Sequence, residues 1–206
     1  MNALILIDIQ NDFLPGGALA VPHGDEVVPV ANRSIPLFPL VVATQDWHPE
    51  NHGSFAANRG QRPGTLGELG GLPQVMWPTH CVQNTGGAAF APGLNTAPIQ
   101  RIFPKGTDPE IDSYSGFFDN GHRKATGLGD YLKTRGVTHV FILGLATDYC
   151  VKATALDARQ LGFATTLITD GCRGVELNPG DCTRALETMQ QAGVRLVQST
   201  AIPTDR

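Results

Sequence analysis

Short apolar runs alternate with longer helical patterns along this chain, and this alternation constrains its fold more than any other feature. The run over 3–8 is continuously apolar up to its last residue, and the runs over 138–143 and 164–169 are rich in β-branched and aromatic residues. Such runs are typical of strands that are buried on both faces of a parallel sheet. The helical stretches between them are typical of the crossover connections that parallel strands require.

The same pattern over the whole chain predicts six strands and three helices. The strands are predicted over 3–8, 40–44, 99–103, 138–143, 164–169 and 195–198. The helices are predicted over 124–135, 148–161 and 179–191. Gly136, Gly162 and Gly193 each follow a helical stretch, where a residue in the left-handed conformation ends a helix. The predicted fold class is α/β: a doubly wound, mostly parallel six-stranded sheet with helices on both faces.

The composition fits one ordered domain over 1–206. Of the 206 residues, 24 are Gly and 15 are Pro, and 41% are apolar, which is enough for one sizeable core. A disordered or collagen-like chain is therefore excluded. The stretch over 47–98 is rich in Gly and Pro and has no clear periodicity, yet it is too long for an idle connection. We interpret it as an ordered, loop-rich insertion that forms one side of the site and helps to bind metal and substrate.

The charge pattern argues against nucleic acid and membrane partners. The chain has 15 basic and 19 acidic side chains and a formal net charge of -4, so no basic surplus is available to neutralise a phosphate backbone. No apolar stretch reaches the roughly 20 residues of a membrane-spanning helix, and the N-terminus lacks the pattern of a signal peptide. We expect a cytoplasmic protein that acts on a small molecule, as a monomer or a homo-oligomer.

Chemically reactive residues follow the predicted strands. Asp8 ends the first strand, Lys105 follows the third, and Cys150 lies in the first turn of the helix after the strand over 138–143. The carboxyl ends of parallel strands share one edge of a sheet, so these residues should meet there. A helix N-terminus should lower the pKa of the Cys150 thiol, and partial burial should raise the pKa of Asp8. Together they would supply a nucleophile, a base and a cation.

Each of these residues also has a simpler interpretation. Cys150 alone is compatible with a small buried residue that packs between helix and sheet. Asp8 and Lys105 alone are compatible with surface or turn-capping groups. Their joint position at three strand ends favours the chemical interpretation.

Asp46, His48 and His80 form a candidate metal site. Asp46 and His48 are one residue apart on an extended segment, so their side chains point to the same side. With His80 from a distant loop they would supply one carboxylate and two imidazoles, which suits Zn²⁺, Fe²⁺ or Mn²⁺ and leaves positions open. The alternative is that Asp46, His48 and His52 are loop residues that hydrogen-bond one another, because short metal motifs often occur by chance.

Six segments occur in one order over nearly the whole chain. They are Asp8-Ile-Gln-Asn-Asp12-Phe13, Asp46-Trp-His48-Pro-Glu-Asn-His52-Gly-Ser54-Phe55, Trp77-Pro-Thr-His80-Cys81, Lys105-Gly106, Tyr114-Ser-Gly-Phe117 and Gly144-Leu-Ala-Thr-Asp148-Tyr-Cys150-Val. Through these segments the chain resembles the nicotinamidase/pyrazinamidase family of the isochorismatase-like cysteine hydrolases.

The resemblance implies a role for each of several residues. It implies that Asp8, Lys105 and Cys150 catalyse the reaction, and that Asp46, His48 and His80 bind the metal together with waters. The backbone N–H groups of Ala146 and Cys150 would bind the oxyanion. The aromatic walls of the substrate pocket would be Phe13, Trp77 and Tyr114. Ser54 stands where some members have a fourth ligand, a His, and would reach the metal through a water. The family also has a cis peptide bond, which is expected directly before Thr147.

The reaction that the resemblance implies is hydrolysis of nicotinamide, and also of pyrazinamide, in NAD salvage. The pyridine nitrogen would bind the metal, and Cys150 would form a thioester. Three alternatives remain: another amide or vinyl-ether hydrolase of the superfamily, a non-catalytic binding protein, and a metallohydrolase that activates water. The metal-type segments argue against the first, because the relatives that act on isochorismate resemble this chain without that ion site. The third would not need Cys150.

Overall fold

The computed structural model describes residues 1–202, which form a six-stranded sheet and a separate two-stranded antiparallel hairpin. The strands are β1 (Asn2–Ile7), β2 (Val41–Asp46), β3 (Leu66–Leu69), β4 (Leu72–Val75), β5 (Arg101–Lys105), β6 (His139–Leu145), β7 (Ala164–Arg173) and β8 (Arg195–Val197). The large sheet has the order β5-β2-β1-β6-β7-β8, and all of its neighbouring strands are parallel. The predicted six-stranded parallel sheet is confirmed.

Four α-helices pack around this sheet: α1 (Val27–Ser34), α2 (Leu128–Thr134), α3 (Lys152–Gln160) and α4 (Asp181–Gln191). The chain moves along the sheet in one direction from β1 through β2 to β5, and in the other direction from β5 to β6, β7 and β8. Because crossovers between parallel strands are right-handed, α1 lies on one face and the other three helices lie on the opposite face. No helix within 1–202 combines the length and the apolar character that a membrane crossing requires.

The centre of the sheet is the hydrophobic core. Strand β1 has a neighbour on each side, and its residues 3–7 are at most 1% exposed. Leu4 lies opposite Val41 of β2 and Phe141 of β6. Burial of one Leu, Ile or Val side chain contributes about 1.5–3 kcal/mol, so an uninterrupted apolar strand is strongly favoured at this position. The residues at the ends of these strands are therefore held on a rigid support.

Two predicted helices start later than expected. The helix predicted over 124–135 starts at Leu128, because Gly127 takes the left-handed conformation with φ 90° and cannot belong to it. The helix predicted over 179–191 also starts late, directly after Gly180, which has φ 88°. In both cases a glycine that looks like part of the helical pattern sets the start of the helix.

Helix α1 was not predicted from the sequence. It contains Pro29 in its first turn, where a helix tolerates proline, although proline obscures a helical pattern. The strand predicted over 99–103 is found over Arg101–Lys105. Lys105 is thus the last residue of β5 and does not lie beyond the strand.

The loop-rich stretch over 47–98 is ordered by hydrogen bonds between distant parts of itself, and it contains the β3–β4 hairpin. The Trp77 N–H donates to the Ser54 carbonyl at 2.8 Å, and the His48 N–H donates to the Cys81 carbonyl at 3.0 Å. These bonds join segments that lie far apart in the sequence. The stretch can therefore hold side chains in place at the edge of the sheet.

We expect Gly144→Ala to destabilise the fold strongly. Gly144 has φ 129°, and an added Cβ would overlap the carbonyl oxygen of Ile7 in the neighbouring strand β1. Left-handed strain costs about 1–2 kcal/mol and overpacking about 1–3 kcal/mol. Chemical denaturation should therefore show a loss of about 2–5 kcal/mol in the free energy of unfolding.

Gly136→Ala is the matched control for this prediction. Gly136 also has a positive φ, 69°, but no atom lies within 4 Å of the position of an added Cβ. Its substitution should cost only about 1–2 kcal/mol. An equal loss in both variants would contradict the proposed overlap with Ile7.

Candidate active site

Four strand ends bring the predicted reactive residues to one edge of the sheet. Asp8 follows β1, Asp46 ends β2, Lys105 ends β5, and the segment that carries Cys150 follows β6. All four side chains are buried. The parallel sheet thus brings together residues that are far apart in the sequence, as expected from the strand pattern.

The ammonium group of Lys105 is the centre of this cluster. Its Nζ donates hydrogen bonds to Asp46 Oδ1 at 2.8 Å, to the Ser113 carbonyl at 2.9 Å and to Cys150 Sγ at 3.4 Å. Asp8 Oδ2 also lies 2.9 Å from the same Nζ, so the ammonium is shared among four acceptors. The Asp8 carboxylate and the Cys150 thiol are therefore held against one ammonium, which places Asp8 to exchange a proton with the thiol.

Burial and charge compete in setting the pKa values of the cluster. Burial raises the pKa of Asp8, although the Lys105 ammonium and the Thr44 hydroxyl, which donates to Asp8 Oδ1 at 2.6 Å, partly offset it. Burial alone would lower the pKa of Lys105, but Asp46 and Asp8 hold it well above its ordinary value. Burial alone would raise the pKa of Asp46, but His48 and Lys105 hold it well below its ordinary value. Lys105 therefore stays charged, and Asp8 is the carboxylate that takes up a proton more readily.

The expected decrease in the pKa of Cys150 is wrong. Burial raises the pKa of this thiol well above its ordinary value, and the Lys105 ammonium only partly offsets the effect. Cys150 lies in a π-helical turn, Thr147–Val151, and the regular helix α3 begins only at Lys152. The thiol is enclosed in a pocket that disfavours charge, and this outweighs any stabilisation by the helix end. Cys150 therefore rests as a neutral thiol and needs a base.

The cis peptide bond near Cys150 also differs from the expected position. It lies between Leu145 and Ala146, one residue before the bond that precedes Thr147. Ala146 is 7% exposed and lines the same cavity as Cys150. Ala146 thus belongs to the wall of the candidate active site.

Asp46, His48 and His80 form a donor set that fits one divalent ion. Asp46 Oδ2 lies 3.0 Å from His48 Nε2 and 3.4 Å from His80 Nε2. On the other side of each ring, His48 Nδ1 lies 2.8 Å from the Gly106 carbonyl and His80 Nδ1 lies 2.7 Å from the Pro78 carbonyl. Because a carbonyl only accepts, each Nδ1 carries a proton, so in the neutral ring the lone pair is on Nε2, beside the carboxylate. One carboxylate and two imidazoles in this tautomer suit Zn²⁺ or a related ion.

His52 and Ser54 form a hydrogen-bonded pair next to this donor set. Ser54 Oγ lies 2.8 Å from His52 Nδ1, and the Ser54 N–H donates to the same nitrogen at 3.2 Å. His52 Nδ1 is therefore an acceptor, and its Nε2 is buried without a partner within residues 1–202. Burial lowers the pKa of His52 to about 4, so its ring is neutral. The hydroxyl of Ser54 is thus engaged by His52, whereas the resemblance implies a contact with the metal through water.

A narrow cavity of about 30 Å³ lies next to the cluster and the metal donors. It is lined by Phe13, Leu19, Asp46, Trp77, His80, Asp112, Tyr114, Ala146, Tyr149, Cys150 and Val175. All three predicted aromatic walls, Phe13, Trp77 and Tyr114, are among these residues. The Trp77 Nε1–H donates to the Tyr114 hydroxyl at 3.1 Å, which fixes both rings. Its aromatic lining suits a small planar ligand.

Sequence reasoning missed four residues of this lining. Tyr149 has a recognisable signal, because it directly precedes Cys150 in the same motif, and its ring packs 4.8 Å from the ring of Trp77. Asp112 is a second carboxylate in the cavity, and its only signal is its place just before Tyr114. Leu19 and Val175 are single apolar residues in loops and have no signal of their own.

Comparison with known proteins extends these observations. An isochorismatase domain model matches residues 2–201. The chain is 54% identical over 199 residues to a nicotinamidase of Escherichia coli strain K12, a match that covers 95% of this chain and 93% of that protein. A solved structure described as an Acinetobacter baumanii nicotinamidase and pyrazinamidase has a TM-score of 0.95 at 48% identity and covers 98% of both chains. A Pyrococcus horikoshii pyrazinamidase in complex with zinc has a TM-score of 0.79 at 43% identity and covers 96% of this chain and 98% of that one.

These matches extend over nearly the whole chain in both sequence and structure. The chain therefore belongs to the isochorismatase family, in the group formed by the nicotinamidases and pyrazinamidases. The resemblance inferred from the six sequence segments is confirmed.

We expect Asp12 to position the metal donor His80. Asp12 Oδ2 accepts the Cys81 N–H at 2.7 Å, which fixes the peptide bond that follows His80. The ring of the next residue, Phe13, lies 5.6 Å from the His80 ring. Loss of a supporting contact around a metal site typically costs about 10- to 100-fold in metal affinity. Asp12→Ala should therefore lower zinc affinity by at least about 10-fold in isothermal titration.

Two further variants separate positioning from general loss of structure. Asp12→Asn keeps an acceptor oxygen for the Cys81 N–H and should retain most of the affinity. Asp170→Ala removes a comparable contact elsewhere, because Asp170 accepts the Ser199 N–H at 2.7 Å outside the cavity lining. Zinc affinity should be unchanged in that variant. A loss in Asp170→Ala as large as in Asp12→Ala would show that Asp12 has no special role.

Proposed function

We propose that this chain is an amidohydrolase that converts nicotinamide to nicotinate and ammonia in NAD salvage, and that it accepts pyrazinamide by the same route. The observation that carries the proposal is the Asp8 carboxylate, which pairs at 2.9 Å with the same Lys105 ammonium that contacts the Cys150 thiol. A buried thiol with a raised pKa needs such a base. The similarity to proteins named nicotinamidase supports the choice of substrate.

The first half of the reaction transfers the acyl group to Cys150. Asp8 accepts the thiol proton, and the Sγ anion attacks the carboxamide carbon of the substrate. Lys105, which already donates to Sγ, stabilises the negative charge while it lies on sulfur. Asp8 then gives its proton to the leaving nitrogen. The C–N bond breaks, ammonia leaves, and a thioester remains on Cys150.

The second half of the reaction hydrolyses this thioester. Asp8, now ionised again, accepts a proton from a water molecule, and the resulting hydroxide attacks the thioester carbon. The C–S bond breaks, and Cys150 recovers its proton from Asp8. The products are the original thiol and the carboxylic acid, which releases its proton to solvent as nicotinate, so one amide and one water are consumed in each turnover.

Both halves pass through a tetrahedral state with a negatively charged oxygen. The backbone N–H groups of Ala146 and Cys150 hold this oxygen. Ala146 and Cys150 both line the cavity, which supports the assignment. Backbone donors in a rigid turn need no reorganisation during the reaction, so their stabilisation is available at once.

Asp46, His48 and His80 hold one divalent ion, Zn²⁺, Fe²⁺ or Mn²⁺. When bound, this ion supplies a Lewis acid that anchors the pyridine nitrogen of the substrate. The carbonyls of Gly106 and Pro78 keep both imidazoles in the ligating tautomer, and the zinc complex of the Pyrococcus horikoshii relative supports such a site. A contribution of Ser54 through water stays a prediction.

The aromatic walls orient the substrate ring between the metal donors at one end of the cavity and Cys150 at the other. Phe13, Trp77 and Tyr114 present ring surfaces to the cavity, and a flat heteroaromatic ring packs well against such surfaces. Pyrazinamide has a ring nitrogen at the same distance from its carboxamide, so it can bind in the same orientation.

A cytoplasmic location also remains a prediction. Cys81, Cys150, Cys172 and Cys182 are all free thiols. Free thiols are typical of proteins from a reducing compartment, and the proposed nucleophile requires one.

We expect Cys150→Ala to abolish turnover while the protein keeps its metal. The substitution removes the nucleophile but none of the metal donors. Nicotinate release should fall roughly 10⁴-fold or more, because loss of a nucleophile typically has an effect of this order. Metal analysis of the same sample should match the unsubstituted chain.

His48→Ala should have the opposite pattern. It removes one of three donors, so metal content should fall and the KM for nicotinamide should rise, whereas the Cys150 thiol is retained. Turnover that survives in Cys150→Ala would instead favour a metallohydrolase that activates water. Full metal content in His48→Ala would refute the assignment of the metal site.

A further inference from the structure

Asp112 is a buried carboxylate in the substrate cavity that the mechanism above does not use. Its side chain lines the cavity together with Tyr114 and Cys150, and the residue is 3% exposed. Within residues 1–202, the cavity lining contains two acidic residues, Asp46 and Asp112, and no lysine or arginine. Asp46 pairs with Lys105 and lies beside the metal-site histidines, whereas a carboxylate oxygen of Asp112 lies within 4.8 Å of ring nitrogens of His48 and His52.

The hydrogen bonds of Asp112 show that both of its oxygens accept. Oδ1 accepts the Ser113 N–H at 2.7 Å, and Oδ2 accepts a proton of Gln74 Nε2 at 2.9 Å. Gln74 Nε2 also lies 2.8 Å from the Val75 carbonyl and 3.0 Å from the Tyr114 hydroxyl, so its orientation is fixed. No lysine or arginine within residues 1–202 forms an ion pair with Asp112. Its negative charge therefore acts on whatever occupies the cavity.

The charges around the loaded cavity balance only when Asp112 is included. Asp8 and Lys105 carry opposite charges 2.9 Å apart and cancel each other. A divalent ion and the carboxylate of Asp46 together leave one positive charge. Asp112 cancels that charge, so the site as a whole is neutral. A neutral site suits a neutral amide and offers no net attraction to an anion.

We propose that Asp112 is a specificity-determining residue that admits the neutral amide and disfavours its carboxylate product. This inference rests on the proposed function, because it needs hydrolysis to convert an amide into an anion at the same position. With Asp112 ionised, the loaded site has no net positive charge that would hold the carboxylate of the product. Without the charge of Asp112, the site would be positive overall and would retain the product.

The test compares the binding of nicotinamide and nicotinate to the zinc-loaded Cys150→Ala chain, which converts neither. When Asp112→Asn is added, the Kd for nicotinate should fall by about 10-fold, the effect of one unit charge roughly 10 Å away at an effective dielectric constant of about 20. The Kd for nicotinamide should change little, because nicotinamide carries no charge. Isothermal titration of both ligands measures this ratio directly and does not depend on turnover.

Asp119→Asn in the same background is the matched control. Asp119 lies on the same segment, is 8% exposed, and accepts the Gly121 and Arg123 N–H groups at 2.9 Å, but it does not line the cavity. Its substitution removes the same charge elsewhere and should leave the binding of nicotinate unchanged.

A charge-relocation variant separates charge from shape. In Asp112→Asn, the new side-chain NH₂ group can face the NH₂ group of Gln74, and two donors cannot bond to each other. The resulting local distortion would then add to the effect of the lost charge on nicotinate binding. Gln74→Glu combined with Asp112→Asn moves the negative charge by one side chain and restores a donor–acceptor pair between the two positions. This double variant should again bind nicotinate weakly.

Three results would overturn the role of Asp112. They are unchanged nicotinate binding in Asp112→Asn, parallel changes in the binding of both ligands, and failure of the double variant to restore weak nicotinate binding. A separate assay of nicotinamide turnover by the unsubstituted chain tests the proposed function. Absence of turnover would refute that function, whereas the ratio of the two binding constants decides only the role of Asp112.

Discussion

The burial of the Lys105 ammonium is the constraint on which the rest of the site depends. An ammonium without water is unstable by several kcal/mol unless acceptors and opposite charges surround it. Here Asp46, Asp8 and the Ser113 carbonyl surround it, and Asp8 and Asp46 come from the ends of adjacent strands β1 and β2 next to β5. The cluster therefore requires this strand order.

Asp46 links the two kinds of chemistry in the site. Its Oδ1 accepts from Lys105, and its Oδ2 lies beside His48 and His80. One carboxylate thus belongs to both the proton-transfer cluster and the metal donor set, so the two are held at a fixed separation. The cavity lies against both, which allows one small ring to be anchored at one end while its carboxamide is presented to Cys150 at the other.

Much of the fold was predictable because local patterns and tertiary structure agree. The apolar run of β1 is buried as expected, and each parallel strand end carries the residue that the pattern placed there. The misses also have physical reasons. Pro29 obscured α1, and Gly127 makes α2 start four residues later than the pattern predicts. The predicted decrease in the pKa of Cys150 was wrong, because the sequence shows that this residue lies near a helix start but does not show that it is buried.

The sequence by itself determined the parallel sheet, the edge at which the reactive residues meet, and the types of group available there. These follow from local periodicity and from the rule that ligands bind at the carboxyl ends of parallel strands. Only the tertiary structure decided which acceptors bind the Lys105 ammonium, such as the Ser113 carbonyl. It also decided that Ser54 forms a hydrogen bond with His52 and that Asp112 lines the cavity. Those contacts join segments that are independent in sequence, and their distances depend on how loops pack, which no local pattern specifies.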